Sequence, residues 1–165
     1  MRPIRLISFL LALLLCLTAC DFPTHQETVT FYYPRDPQRR NIAPTATFYA
    51  AEEREASIST SLRYLLSLYL QGPLDDTTVS PFPTDTRLVD LDLHAGQLYI
   101  QLSQEFGQLN SIDLTIACTC LSLTCFDLAQ VDRVTIITSA TEDHPAVEIT
   151  LSRQDLTLTD TVIQD

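Results

Sequence analysis

Two short runs of alternating apolar and polar residues, joined by a tight turn, constrain the fold more than any other part of the chain. Residues 89–93 alternate valine and leucine with Asp90 and Asp92, and residues 98–102 alternate leucine and isoleucine with Tyr99 and Gln101. Gly96 lies in the turn and can adopt a positive φ. A period of two predicts an antiparallel hairpin with one face in a core and one in water. The residues expected in the core are Val89, Leu91, Leu93, Leu98, Ile100 and Leu102.

A helix is predicted on each side of this hairpin. Residues Ser57–Leu70 carry apolar side chains at helical spacing, Ser57 can cap the first turn, and Gly72 followed by Pro73 is a typical stop. The second helix is expected over Leu109–Leu128.

The remaining β-prone segments complete the architecture. Strands are predicted at 29–33, 45–51, 131–138 and 147–151, with Leu156 and Leu158 returning as a second hairpin. Helices must bury their apolar stripes on a sheet, so this order predicts an α+β fold. We expect a two-layer domain, a mostly antiparallel sheet covered on one face by two helices. A ferredoxin-like split βαβ arrangement, which differs in strand order, is the alternative.

The wet side of the hairpin is a candidate docking surface. It is expected to present Asp90, Asp92, Tyr99 and Gln101, and an exposed tyrosine can anchor a partner amid charged residues. A plain solvated sheet face is the alternative.

The N-terminus has the pattern of an export signal. Arg2 and Arg5 precede an apolar run over Leu6–Leu17, which is too short to cross a bilayer of about 30 Å as a stable helix. Residues 17–20 read LTAC, which resembles the lipobox of bacterial lipoproteins. The resemblance implies cleavage between Ala19 and Cys20 and covalent diacylglycerol on Cys20. An ordinary signal peptide is the alternative.

The predicted organisation follows from that signal. Residues 1–19 are a signal peptide, 20–28 a tether, 29–138 the main domain and 139–165 a C-terminal extension with strands and a tail. Asp21, directly after the lipid-bearing cysteine, resembles an inner-membrane retention signal. We therefore expect the protein at the outer leaflet of the cytoplasmic membrane, facing outward.

The charge of the chain argues against two kinds of partner, nucleic acid and anionic lipid. After cleavage, 8 arginines and no lysine remain against 21 acidic residues, a net charge of −13. Such an acidic surface argues against binding nucleic acid or docking on anionic lipid through basic residues.

The cysteines of the second helix are expected to be buried and reduced. Cys118 and Cys125 lie about 10 Å apart along a helix axis, too far for a disulfide, and Cys120 faces away from both. No metal or cofactor is predicted. The alternative is a metal or redox site with one of the three histidines, His25, His94 and His144.

Motifs of catalytic sites are missing from the sequence. It has no glycine-rich phosphate loop, no G-x-S-x-G and no H-E-x-x-H, and it contains only three glycines. Carboxylate pairs such as those of glycosidases remain open, because Glu105 and several aspartates are present. We therefore predict that the protein is not an enzyme.

Four segments resemble the GerMN domain of sporulation and spore germination proteins. Leu65–Pro73 resembles the end of its first helix, and Pro83–Leu88 resembles its P-x-G-T-x-L entry, with Asp85 at the usual glycine. Gly96–Phe106 is similar to its strand G-x-L-x-V-x-L-S-x-x-F, and Val131–Ile136 to its last strand.

This resemblance implies an extracytoplasmic interaction domain, similar in fold to ring-building domains. It implies no activity, because the matched residues have structural roles and none is a nucleophile, base or ligand. The prediction is a non-enzymatic, lipid-anchored domain that binds a protein partner in a cell-envelope or sporulation-related assembly. A peptidoglycan- or glycan-acting protein, binding or hydrolytic, is the alternative.

Overall fold

The computed structural model describes residues 26–36, 38, 48–57, 59–140 and 145–160, with backbone alone for Gln26 and 157–160. The signal peptide, Ala19, Cys20 and Asp21 lie outside these residues, as do His25 and His144. The described residues form the strands β1 (Gln26–Pro34), β2 (Tyr49–Ser57), β3 (Leu88–His94), β4 (Gln97–Leu102), β5 (Arg133–Thr138) and β6 (Glu148–Ser152). They also form the α-helices α1 (Leu62–Leu70), α2 (Ser111–Ala129) and α3 (Arg153–Asp160), and a 3₁₀ helix over Gln104–Gln108.

These elements form an α+β fold with two sheets, where the sequence predicted one. The first sheet is the antiparallel pair β1–β2, whose register runs from Gln26 opposite Ser57 to Pro34 opposite Tyr49. β1 therefore includes the last three residues of the expected tether. β2 begins and ends later than the predicted strand at 45–51, and it takes in Ser57.

The second sheet has four strands in the order β3-β4-β5-β6. β3–β4 and β5–β6 are antiparallel, whereas β4 and β5 are parallel neighbours joined through α2. Because those two strands are adjacent, the βαβ unit is contiguous and the split alternative does not apply. β5 is an inner strand, which explains its nearly continuous run of β-branched residues.

Helix α2 packs against both sheets. Its Thr124 hydroxyl accepts a hydrogen bond from the Tyr32 backbone N–H of β1 at 3.0 Å, and Cys118, Leu121 and Cys125 join Leu98, Ile100, Val134 and Ile136 in one core. By length and composition α2 is apolar enough to cross a membrane. Burial against two sheets accounts for that composition in a globular domain.

The N-cap of helix α1 is Ser61, four residues later than Ser57, the cap that was predicted. Ser57 belongs to β2, and the Ser61 side chain accepts the N-terminal hydrogen bond from Tyr64 N. Leu65, Leu66 and Tyr69 are buried, as the stripe predicted. Gly72 follows the C-cap with φ 98°, a conformation that glycine adopts without a steric cost.

The β3–β4 hairpin confirms one predicted core face and corrects the other. Leu98, Ile100 and Leu102 are almost fully buried, but Val89 and Leu93 are 52% and 57% exposed. β3 is the edge strand, and a register shift between Leu88 and Asp90 inserts Val89 as an extra residue. The regular alternation is therefore broken there, and only Leu91 of the three packs against the core.

The C-terminal segment folds differently from the second hairpin that was predicted. β6 pairs with β5, and the chain then turns into α3 instead of a strand at Leu156 and Leu158. The Asp155 carboxylate accepts hydrogen bonds from Ser152 N and Oγ at 2.8 and 2.6 Å, and these contacts hold the first turn of the helix.

A buried ion pair ties β2 to the loop after α1. Arg54 Nε lies 2.6 Å from Glu52 Oε1, and its Nη2 donates to the Gly72 carbonyl at 2.8 Å. Glu52 in turn accepts from Leu74 N, and the Arg54 guanidinium stacks 4.9 Å from the Phe31 ring centre. Each charge is thus partnered, as burial requires.

Candidate functional site

The outer face of the four-stranded sheet is the candidate site. In the register of the sheet, alternate residues of each strand point to this face, opposite the core. They form three rows of cross-strand neighbours, namely His94, Gln97, Arg133 and Ser152; then Asp92, Tyr99, Thr135 and Thr150; then Asp90, Gln101, Ile137 and Glu148. We call these twelve residues the outer face.

The outer face is open in the described part of the chain. Of its twelve side chains, only Thr135 is buried, and the others are half-buried or exposed. Thr135 is covered by its own neighbours, because its hydroxyl accepts from Gln97 Nε2 at 2.6 Å and lies 2.8 Å from the Thr150 hydroxyl. This ladder satisfies the polar groups at the centre and fixes their side chains in place.

Two side chains give the centre of the outer face its apolar character. Tyr99 and Ile137 are half-buried and lie on the adjacent inner strands β4 and β5. Their positions differ by one row, since Tyr99 pairs with Thr135 and Ile137 with Gln101. An aromatic and an aliphatic group amid satisfied polar groups can anchor a partner without making a hydrophobic patch.

Carboxylates flank this centre on both outer strands. Asp90 and Asp92 are exposed on β3, and Glu148 is exposed on β6. Arg63 of α1 reaches over the edge of β3, where its Nη2 lies 3.0 Å from Asp90 Oδ1 and its Nη1 donates to the Val89 carbonyl at 3.4 Å. Both partners are at least half exposed, so this ion pair adds little stability.

The four residues expected on the docking surface lie together as two adjacent cross-strand pairs. Asp90 is opposite Gln101, and Asp92 is opposite Tyr99. The sequence analysis did not identify Arg133, Ile137 or Glu148 as part of the same face. Arg133 and Ile137 lie on the predicted strand at 131–138 and Glu148 on that at 147–151, but their shared face becomes evident only when β5 is known to lie between β4 and β6.

The described members of the alternative metal or redox site are the three cysteines of α2 and His94. Burial raises the pKa of the Cys118 and Cys120 thiols to about 12, and it also raises the pKa of Cys125. All three are buried and free of disulfides, as predicted. His94 is exposed at the end of the outer face. Within the described residues, no group of three potential metal ligands converges.

An apolar groove of about 610 Å³ lies elsewhere, between the end of β1, the loop after α1 and the start of α2. Three prolines and two phenylalanines line it, with Arg35 and Asp113 as its charged residues. Glycoside hydrolysis requires two carboxyl groups across the scissile bond, and the lining residues bring one. The groove therefore has the composition of an apolar contact surface.

Comparisons with known proteins identify the family and the fold of the chain. A family model described as "Germane: Sporulation and spore germination" matches residues 30–138. The fold is similar to that of the first GerMN domain of the sporulation protein GerM from Bacillus subtilis, with a TM-score of 0.56 at 17% identity, covering 78% of this chain and 99% of that one. No curated protein matches the chain in sequence.

The tandem GerMN domains of the same Bacillus subtilis protein are also similar, with a TM-score of 0.57 at 15% identity. The match covers 78% of this chain and 46% of the tandem chain, so this chain spans about half of that length. At such identities the likeness is one of fold.

Proposed function

Because the chain belongs to the Germane family of sporulation and spore germination proteins, we propose that it is a non-enzymatic interaction domain. It binds a protein partner in an envelope or sporulation-related assembly, and it does so through the outer face of the four-stranded sheet. The observation that carries the proposal is the centre of that face, where the half-buried Tyr99 and Ile137 lie beside polar side chains that already hydrogen-bond to one another, namely Gln97, Thr135 and Thr150.

The arrangement of charge supports a protein as the partner. The outer face has three carboxylates and one arginine, and the whole chain is strongly acidic. Nucleic acid and anionic lipid headgroups are repelled by such a surface, whereas a protein can offer basic side chains. Among the described residues that line the apolar groove, Asp113 is the one carboxylate, which makes a glycan-cleaving site there the weaker alternative.

We further propose that the domain is held at the outer leaflet of the cytoplasmic membrane by diacylglycerol on Cys20. The LTAC sequence at 17–20 and Asp21 support this location. β1 begins at Gln26, and the six residue steps from Cys20 reach at most about 21 Å. A domain on so short a tether meets partners in or near the membrane.

Lipid attachment predicts a specific labelling result. Labelled palmitate should enter the wild-type protein in the producing bacterium, and Cys20→Ser should remain unlabelled because the thiol is the acceptor. Cys16→Ser is the matched control, since that cysteine lies in the expected signal peptide. Equal labelling of the wild type and Cys20→Ser rules the anchor out.

Partner capture tests the interaction itself. The full-length protein is purified from detergent-solubilised membranes as wild type, Tyr99→Ala and Tyr64→Ala. Tyr64 is an exposed tyrosine of α1 and is not one of the twelve residues of the outer face. A protein that is retained by the wild type and Tyr64→Ala but lost with Tyr99→Ala supports the proposal. Retention by all three chains contradicts it.

The glycan alternative has its own measurement. Purified peptidoglycan is mixed with the wild-type protein and sedimented, and the bound fraction is compared with that of Tyr99→Ala. If the protein sediments with the polymer while no protein partner depends on Tyr99, the alternative replaces the proposal.

A further inference from the structure

The carboxylates of the outer face are confined to its two outer strands, whereas its one arginine, Arg133, lies on the inner strand β5. Asp90 and Asp92 lie on one outer strand and Glu148 on the other, while the inner strands between them carry Tyr99 and Ile137 near the centre. Three strand spacings of about 4.8 Å separate β3 from β6, so the acidic flanks are about 14 Å apart. Arg63 neutralises part of the Asp90 charge, which leaves Asp92 and Glu148 as the main anionic points.

A partner covers the face of a sheet with either a helix or a second sheet. Packed sheets present apolar residues at every inward position, and this face has only two apolar side chains among twelve. A helix with its side chains is about 10–12 Å wide, so it fits between flanks that are about 14 Å apart. The spacing and the composition therefore favour a helix with a narrow apolar stripe.

The two ends of the outer face differ in charge. One end row holds Asp90 and Glu148, and the opposite end row holds Arg133 and His94. Two row spacings of about 6.7 Å separate these ends, a length of about nine helical residues. A helix carries partial positive charge at its N-terminus and partial negative charge at its C-terminus. Its N-terminus is therefore favoured at the Asp90 and Glu148 end.

We propose that the outer face binds a basic amphipathic helix of a protein partner, lying along β4 and β5 and running in the opposite direction to both. The apolar stripe of that helix covers Tyr99 and Ile137, and lysines or arginines on both of its sides reach Asp92 and Glu148. This inference rests on the proposed function. A second copy of the chain is a poorer occupant, because facing copies bring like carboxylates together.

Site-specific photo-crosslinking in the producing bacterium tests this inference on the full-length protein. A photoreactive phenylalanine is placed at position 99, and at position 64 on α1 as the control. Mass spectrometry then identifies the captured segment of the partner. The expected segment is an amphipathic helix with basic residues on both sides of its apolar stripe.

The direction of the helix is tested by moving the photoreactive group. From position 101 it should capture a partner residue about nine positions N-terminal to the one captured from position 94, because the two positions lie in opposite end rows. The reverse order contradicts the proposed direction, and a captured strand or glycan contradicts the helix.

Charge reversal adds a quantitative test. Asp92→Arg together with Glu148→Arg should reduce the yield of the position-99 product roughly tenfold, as two attractions become repulsions. Glu53→Arg with Glu55→Arg makes the same charge change on exposed residues of β2 and should leave the yield unchanged. An equal fall in both double variants contradicts the role of the flanks.

The outcomes separate this inference from the proposed function. A position-99 product with a partner segment of another kind overturns the helix but leaves the docking face standing. A crosslinked product that joins two copies of the chain overturns the proposal that the helix belongs to a different protein. If position 99 captures no more than position 64, both proposals fail.

Discussion

Two fully buried hydroxyl groups of α2 differ in whether they have a partner. Thr124 Oγ1 accepts from Tyr32 N at 3.0 Å, whereas Ser122 Oγ has no hydrogen-bond partner among the described residues. A buried polar group without a partner keeps the cost of losing water. These two residues therefore contribute to stability with opposite signs.

This difference predicts opposite effects of removing each hydroxyl. Ser122→Ala should raise the free energy of unfolding by about 1 kcal/mol, because it removes an uncompensated polar group. Thr124→Val keeps the shape but leaves Tyr32 N–H unpaired, and it should lower that free energy by about 1–3 kcal/mol. Urea unfolding measures both. A loss of stability in Ser122→Ala would show that its hydroxyl is satisfied.

Asp85 explains a departure from the family pattern. It occupies the position of the usual glycine in the P-x-G-T-x-L entry, and its φ is 70°, in the left-handed region. Aspartate tolerates this conformation better than most residues, but at a cost. The backbone at this position thus requires a left-handed φ, which glycine adopts most easily, and a sequence pattern alone does not reveal that requirement.

Substitution at position 85 should follow that requirement. Asp85→Gly should raise the free energy of unfolding by about 0.5–1 kcal/mol, as relief of the strained φ exceeds the added entropy of the unfolded chain. Asp85→Val should lower it by more than about 1 kcal/mol, because a β-branched residue fits this region poorly. Thermal unfolding compares the three chains, and a more stable valine variant would contradict the explanation.

Strand β4 shows how an element separates two functions by alternation. Ile100 is fully buried, while Tyr99, its neighbour in sequence, is half-buried on the outer face. Ile100→Ala should lower the free energy of unfolding by about 2–5 kcal/mol through the cavity that it leaves. Tyr99→Ala should lower it by about 1 kcal/mol or less. Equal losses would show that both side chains belong to the core.

Helix α2 should protect its three thiols from reagents. Cys118, Cys120 and Cys125 are buried, and burial raises the pKa of each thiol, so little thiolate forms at neutral pH. In a chain that begins at Asp21, a thiol reagent should react slowly with the native protein and quickly in urea. Thr115→Cys, at an exposed position of the same helix, is the control and should react at once.

The same shifts predict a dependence of stability on alkaline pH. Unfolded thiols ionise near their ordinary pKa of 9.0, while Cys118 and Cys120 stay protonated in the fold up to about 12. Stability from these groups is therefore complete below pH 9 and is lost as pH rises from about 9 toward 12.

Fast labelling of the native protein by the thiol reagent would contradict the burial of the three cysteines. A mass lower by two hydrogens, which a disulfide would give, would contradict their being free thiols.

The predictability of each element depended on how local its determinants are. β4 and the turn at Ala95 and Gly96 could be predicted, because strict alternation and a two-residue turn are properties of the segment itself. The exposure of Val89 and Leu93 could not, since it depends on the bulge and on β3 lying at the edge. α3 was missed because the contacts of Asp155 with Ser152 outweigh the alternation of Leu156 and Leu158.

For the whole molecule, the class was predictable and the arrangement of strands was not. Strand and helix order indicated an α+β fold, and the structure confirms it with two sheets. Periodicity says which residues share a face of one strand, but it does not say which strands are neighbours. Four of the twelve outer-face residues were therefore visible in the sequence, and Arg133, Ile137 and Glu148 entered the face only through the pairing of β4 with β5 and of β5 with β6.

The contact of Arg63 with β3 has a further consequence for chains that crowd together. An edge strand with exposed valine and leucine offers free backbone groups to which another chain can add, and such addition leads to aggregation. Here the extra residue at Val89 breaks the regular spacing of those groups, and the Arg63 guanidinium donates a hydrogen bond to the Val89 carbonyl. A neighbouring copy thus meets an interrupted edge, which disfavours strand addition between closely spaced copies.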